Sequence, residues 1–308
     1  MKKNLQWTYR QAAFFLIGTT LTTLVLSTGS YGLWRRAKKS RLLDPRYRIV
    51  AIVQTGLEKE ALKTSYLAEL LSLSSDRPVP LYAFDVKEGE KKLTACPMIS
   101  HAKIKRVDPG TLYIDYTVRK AIARLADYAN VGLDCEGHLF PLTPFFPPQH
   151  LPEIYLGLPP FGSAADEQGR EGGSWQASLK NKHLRLALEI LRALDGAPWQ
   201  EGMRIKKIDV SNAFAKSAGQ REIVLFTEEE IAVGEGAGQT VCLFPKILRL
   251  PPKDYSRQLS NFLSLRRSML EDYKRQIAQS RFSQPIVEFT PRIVDLRLSQ
   301  MAFVQNHS

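Results

Sequence analysis

"HAKIKRVDPGTLYIDYTV", residues 101–118, alternates in the manner of a strand on both sides of Asp108-Pro109-Gly110, a turn tripeptide. Read as two strands joined by that turn, it sets the arrangement of what precedes it. "YRIVAIVQTG", 47–56, is rich in β-branched residues and closes on Gly56, so it reads as a strand. "KTSYLAELLSLS", 63–74, spaces Tyr66, Leu67, Leu70, Leu71 and Ser74 as a helix does, and Pro78 and Pro80 are expected to stop it. A weaker helix follows over Phe84 to Ala95, with Val86 and Leu93 inward and "KEGEKK" outward. The predicted order over 47–118 is β-α-α-β-β.

Residues 119–304 read as a second, larger unit. "KAIARLADYANVGLDCEGHLFPL", 120–142, and "LPEIYLG", 151–157, are strand material. Residues 158–174 are rich in Gly and Pro and read as a surface loop. From Trp175 a helical stripe carries Leu179, His183, Leu186, Ala187, Ile190, Leu191 and Leu194, with Gly196 and Pro198 ending it. Strands resume at "RIKKIDV", "EIVLFT" and "TVCLFP". A long amphipathic helix is traced by Leu259, Phe262, Leu263, Arg266, Met269, Leu270, Tyr273 and Ile277, packed on the sheet in preference to meeting a partner. "PIVEFTPRIVDLRLSQMAFV", 285–304, has strand pattern, and 305–308 is a short tail. The expected fold class is α+β, with a largely antiparallel sheet and flanking helices in the second unit.

The 308 residues carry a formal charge of +12, which raises nucleic acid as a partner until the charge is located. Residues 1–46 hold nine basic residues against Asp44 alone, so +8 of the total lies there. Between them, Ala12 to Trp34 is a run of 23 residues without a charge. As a helix it reaches ~35 Å, enough for a hydrocarbon core of ~30 Å. Trp7, Tyr9, Tyr31 and Trp34 bracket the run as aromatic belts do. Its threonines lower the hydropathy, but a helical Thr returns its hydroxyl to a carbonyl one turn back. The reading is a short tail over 1–11, a single span over 12–34 and a basic juxtamembrane linker over 35–46. A cleaved signal peptide is the rival; against it, no small-x-small site is followed promptly by neutral sequence, and "WRRAKKSR" comes next. Three basic residues precede the span and five follow it closely, a count that favours the bulk of the chain in the cytoplasm.

"VGLDCEGHLFPL", 131–142, concentrates Asp134, Cys135, Glu136 and His138, side chains favoured in metal sites and catalysis. In one extended segment neighbours point to opposite faces, so convergent ligands are not expected. Glu136-Gly137 between apolar flanks reads as a two-residue hairpin turn with Gly137 at positive φ. "GEGAGQT", 234–240, lacks the Lys and Ser/Thr of a phosphate loop and follows Glu228, Glu229 and Glu230; it reads as a loop between strands. "KIKR" at 103–106 and "LRR" at 265–267 are short basic groups with acidic neighbours, solvated faces in preference to a nucleic-acid track. Cys96, Cys135 and Cys242 are isolated and make neither a zinc cluster nor a disulfide framework. With no H-E-x-x-H, H-x-H or G-x-S-x-G, the residues define no catalytic constellation, cofactor or metal site.

Taken in order, four stretches resemble the FtsQ/DivIB family of bacterial cell-division proteins. "VDPGTLYIDYTVRKAIARL", 107–125, is similar to the family's strand, Pro turn, "TL.I.V" strand and "ERxPVA" passage, with Gly56 closing the first strand. "LDCEGHLF" followed by "LPEIYLG" is similar to "VDxxGxxF...LPxLxG", and "IVDLRLSQMAFV", 293–304, resembles the terminal "DLRYxxGxAV". The sequence departs from the pattern at Leu298, where an aromatic is usual, at Gln300 or Met301, where a glycine is usual, and at "TVRK", which lacks an acid.

The resemblance implies a POTRA domain over 47–118 and a β domain over 119–304. It implies a single pass in the bacterial inner membrane, with the amino terminus cytoplasmic and the bulk periplasmic, against the charge count. The implied role is a scaffold without catalysis, binding FtsB/FtsL-type partners by strand addition at the last β edge. Carried over position by position, Arg297 pairs with an acidic partner residue, and Leu298, Ala302, Phe303 and Val304 line the augmented edge. No cofactor, small-molecule substrate or nucleic acid is implied. The readings weighed beside it are a POTRA-bearing component of outer-membrane assembly or secretion, and an exported enzyme with an unrecognised site.

Overall fold

The structure is a computed structural model, which describes residues 9–55, 62–146, 150–159, 178–196, 202–234, 240–280, 284–299 and 301–306. Gly56, the greater part of the Gly/Pro-rich segment, Trp175, Pro198, residues 235–239 and Gln300 therefore lie outside the described residues. The chain is α+β, with an amino-terminal apolar helix and a mixed sheet, and divides into two compact units, Met1–Val118 and Arg119–Ser308.

Helix α1 spans Tyr9–Leu43, 35 residues, so it is half again as long as the charge-free run. Its length and composition fit a membrane crossing and equally a signal sequence. Polar hydroxyls in the run are satisfied along the helix: Thr19 Oγ1 donates to the Phe15 carbonyl at 2.9 Å and Thr23 Oγ1 to that of Thr19 at 2.8 Å. The expected basic linker over 35–46 is instead helical to Leu43. Arg, Ala, Lys and Leu favour helix and nothing breaks it before Asp44, whose side chain accepts from Arg46 N as Pro45–Tyr47 turns into a 3-10 helix.

In the first unit β1 (Ala51–Thr55), α2 (Thr64–Leu70), α3 (Val86–Thr94), β2 (Ile99–Val107) and β3 (Thr111–Val118) follow in turn. The sheet order is β1-β3-β2, with β1 parallel and β2 antiparallel to β3. Strand β1 is shorter than the sequence pattern because Tyr47 lies in the 3-10 turn and the next residues bond elsewhere, Arg48 bridging Pro80 and Ile49 N donating to the Val79 carbonyl. Helix α2 ends well before the prolines, at Ser72 with φ 57°. Asp85 caps α3, accepting from Lys87 N and Glu88 N. "KEGEKK" is not wholly outward: Gly89 is buried, and a Cβ there would lie 2.7 Å from Phe84 Cζ.

At the β2–β3 turn, a Cβ on Gly110 would sit 2.2 Å from the Arg48 carbonyl oxygen. That oxygen is backbone and cannot swing away, so Gly110→Ala is expected to cost about 1–3 kcal/mol through overpacking. Thermal melting of the variant checks it, and an unchanged midpoint would show that β1 yields.

The second unit holds β4 (Ala123–Leu125), β5 (Val131–Leu133), β6 (Leu139–Pro141), β7 (Glu153–Tyr155), α4 (Lys182–Leu194), β8 (Met203–Asp209), β9 (Ile223–Val233), β10 (Thr240–Leu250), α5 (Tyr255–Gln279), β11 (Ile286–Glu288), β12 (Arg292–Asp295) and β13 (Phe303–Asn306). The sheet runs β13-β12-β10-β9-β8-β7-β4-β5-β6, with β11 also on β10. Helices α4 and α5 are crossovers joining parallel pairs, β7 to β8 and β10 to β11 and β12, as parallel strands require. Leu259, Phe262, Arg266, Met269 and Tyr273 of α5 are buried, a three-four spacing that lays one stripe on the sheet. The sheet is mixed, since parallel pairs stand beside the antiparallel β8-β9-β10 meander.

Candidate functional site

The terminal stretch "IVDLRLSQMAFV" does not run as one strand. It folds back on itself: β12 ends at Asp295, the chain turns, and β13 pairs antiparallel with β12, Asp295 facing Phe303 and Val294 facing Val304. Among the described residues β13 is the last strand of its sheet, paired on one side only. Phe303 is 56% and Val304 47% exposed, with Leu298 and Met301 exposed in the turn. An edge of this kind presents N–H and C=O groups in the geometry of a ladder.

Arg297, expected to meet an acidic partner residue, has acidic partners within the chain. Its guanidinium forks onto Asp295, NH2 to Oδ2 at 2.7 Å and Nε to Oδ1 at 3.0 Å, and NH1 reaches Glu222 Oε2 at 3.3 Å. Arg249 completes the group, 2.6 Å from Glu222 Oε2. Burial opposes the Asp295 charge, but the Arg297 side chain and N–H hold the carboxyl below the usual carboxylate range. Four charges are thus balanced within the chain where the turn between β12 and β13 begins.

Beside this network lies a groove of about 870 Å³ lined by Phe214, Pro251, Pro252, Leu298 and Phe303, with Lys182, Arg221 and Lys253 also on its walls. Phe214 is 41% exposed, with Lys182 Nζ 4.6 Å from its ring centroid. Of the residues expected at the edge, Phe303 and Val304 lie on β13, Ala302 directly precedes it and Leu298 lies in the turn, while Phe214, Lys182 and Glu222 were not expected there. They come from segments remote in the chain, and no local pattern announces them.

The 131–142 stretch forms a hairpin, but its connection is five residues, 134–138, between the paired Leu133 and Leu139. Asp134 Oδ1 accepts from Glu136 N at 2.9 Å and His138 N at 2.8 Å, curling the loop, while Gly137 takes φ +88°. The segment is therefore not extended, and Asp134, Glu136 and His138 do converge, their ligand atoms within 4.8 Å. Asp134 has a cation partner within the chain as well: Arg119 NH1 lies 2.7 Å from Oδ2. The hydrogen bonds of Asp134 close the turn.

Burial raises the Asp134 pKa, but the His138 N–H and Arg119 outweigh it, leaving the carboxyl below its usual range. A depressed folded pKa means stability that is present above the unfolded value, about 4, and lost as pH falls through the folded one. Acid unfolding of the native chain is thus expected to be steeper than that of Asp134→Asn; identical acid limbs would remove Asp134 from the account.

A third constellation is buried. Glu229 on β9 meets Lys246 on β10, with Arg266 Nε of α5 at 2.6 Å from its carboxylate, and Glu229 and Lys246 are each 1% exposed. Burial pushes the Lys246 ammonium down, opposed by Glu229. Its walls are the sheet and α5, so it joins the two.

Compared with known proteins, the chain matches no family model and no curated sequence.

Proposed function

We propose that this chain is a membrane-anchored, non-enzymatic scaffold of the FtsQ/DivIB type, in which α1 is the single span, the first unit a POTRA domain and the second a β domain that captures a division partner. The observation that carries the reading is β13: the last strand of the sheet, one side unpaired among the described residues, and both apolar side chains exposed. Main-chain bonds supply most of strand addition and tolerate side-chain change, so Leu298 in place of an aromatic is compatible with it. The β1-α2-α3-β2-β3 succession supports the POTRA assignment.

The groove supports one kind of partner chemistry. Arg297 is neutralised by Asp295 and Glu222, whereas Lys182, Arg221 and Lys253 border an apolar floor. A partner of the FtsB/FtsL kind that adds a strand to β13 would lay an acidic, apolar-studded flank there. On this reading the bulk of the chain lies in the periplasm.

A fluorescent fusion is expected to collect at the division site, and pairwise interaction assays against division proteins to return an FtsB/FtsL-type coiled coil. Diffuse envelope signal together with no such interaction would refute the proposal.

A further inference from the structure

Five basic residues, Arg35, Arg36, Lys38, Lys39 and Arg41, fall in seven consecutive positions directly after the charge-free run, with no acid before Asp44. They lie in helix, because α1 continues to Leu43. Tyr31 and Trp34, 59% and 58% exposed with ring centroids 6.1 Å apart, mark the level where the apolar stretch meets the headgroups. At ~1.5 Å per residue, positions 35 to 39 rise about 7 Å beyond Trp34. The headgroup layer on each side of a bilayer is itself about 5–7 Å deep. The helical rise therefore carries residues 35, 36, 38 and 39 through that layer.

Arg41 is set apart from the other four. Its guanidinium lies 5.5 Å from the Tyr82 ring centroid, and Tyr82 donates to Asp108 Oδ1 at 2.8 Å and packs edge-on against Tyr47 at 5.4 Å. Leu81 N donates to the Tyr47 carbonyl at 2.6 Å and Ile49 N to that of Val79 at 2.9 Å. The end of α1 is thereby clasped to the folded domain by residues on either side of Pro45, and the basic turn is a stalk of set length.

We propose that residues 35–39 form an anionic-lipid site: four basic residues within five positions, at the level where Trp34 leaves the hydrocarbon, that select phosphatidylglycerol-type headgroups of the leaflet nearest the domains. The proposal rests on α1 being an uncleaved anchor, as in the function proposed above. It gives the basic segment a role that topology does not. Charge favours the side that is not translocated, yet the larger basic group stands on the side of the folded domains. Cations at an anionic surface are retained there whichever side that is.

The test uses the full chain reconstituted in bilayers that mix phosphatidylcholine and phosphatidylglycerol, with spin-labelled versions of each lipid reporting the motion-restricted fraction. The native chain is expected to prefer phosphatidylglycerol about five-fold, one cation's worth of surface attraction, and to lose much of that preference in high salt. The variant Arg35→Gln/Arg36→Gln/Lys38→Gln/Lys39→Gln keeps strong helix formers throughout and is expected to lose most of that preference with an unchanged melting profile. No preference in the native chain, or the same preference in the variant, overturns the lipid site while leaving the anchor intact. Absence of motion-restricted lipid of either kind would show that α1 does not reside in the bilayer, and both readings would fall.

Discussion

Glu229→Ala is expected to destabilise the second unit by about 3–5 kcal/mol, the usual result of removing one partner from a buried charge group. Glu229 faces Lys246 and Arg266 together, and Lys246 is 1% exposed, so the alanine variant leaves an ammonium in the core with neither water nor counter-ion. The neighbouring aromatics do not rescue it. Lys246 Nζ stands 5.3 Å from the Tyr273 centroid and 5.9 Å from that of Phe262, cation–π contacts worth ~1–2 kcal/mol at best. The loss falls on the joint between α5 and the β9–β10 pair. Thermal melting of the full chain in detergent reads it, and hydrogen exchange in α5 locates it. Replacing all three, Glu229→Leu/Lys246→Met/Arg266→Met, is expected to recover most of the stability, because an apolar isostere removes the desolvation cost along with the attraction. A single-variant cost under about 1 kcal/mol would mean that the charges relax to water more easily than their burial implies.

Proline in β13 is expected to weaken partner binding at least about tenfold, the equivalent of one or two hydrogen bonds left unmade. Adjacent residues of a strand turn their N–H groups to opposite sides, so of Phe303→Pro and Val304→Pro one removes a bond to β12 and the other an outward donor. The first should lower the melting temperature as well as binding, and the second binding alone. If both variants bind normally, strand addition does not occur at β13. Arg297 separates two further accounts. Since its fork is taken by Asp295 and Glu222, its role is to hold the β12–β13 turn in place. Arg297→Met and Asp295→Asn are then expected to weaken binding by similar amounts, and the double variant no more than either alone. Additive effects would return Arg297 to direct contact with an acidic partner residue.

Much of this architecture was legible in the residues. The charge-free run, the alternation about Asp108-Pro109-Gly110, the α4 and α5 stripes and the terminal strand material follow from local chemistry: helical period, β-branching, Pro and Gly. The errors are of two kinds. Boundaries slipped where side chains bind their own backbone, as Asp134 does in opening a two-residue turn to five and Asp44 in ending α1. Elements were also cut short where one residue looked wrong. The pattern "TVCLFP" stops at Pro245, yet β10 runs on to Leu250, because Pro245 falls between the stretch paired with β11 and the stretch paired with β12. Continuing the alternation from Cys242 through Phe244 sets Lys246 on the core face, but only the register, in which Glu229 faces Phe244, brings the carboxylate within its reach.

By itself, then, the amino-acid order determined the classes of segment along this chain: where it is long and apolar, where it alternates and where it turns. Tertiary structure alone decided which strand lies at the rim, that the last two strands fold against each other, and that Arg297 spends its charge inside the chain. The physical reason is range. Period and turn chemistry act over a few residues, whereas an edge, a groove or a buried ion group exists only once more distant segments have packed side by side, as Glu229 does with Lys246 17 residues on and Arg266 37 residues on.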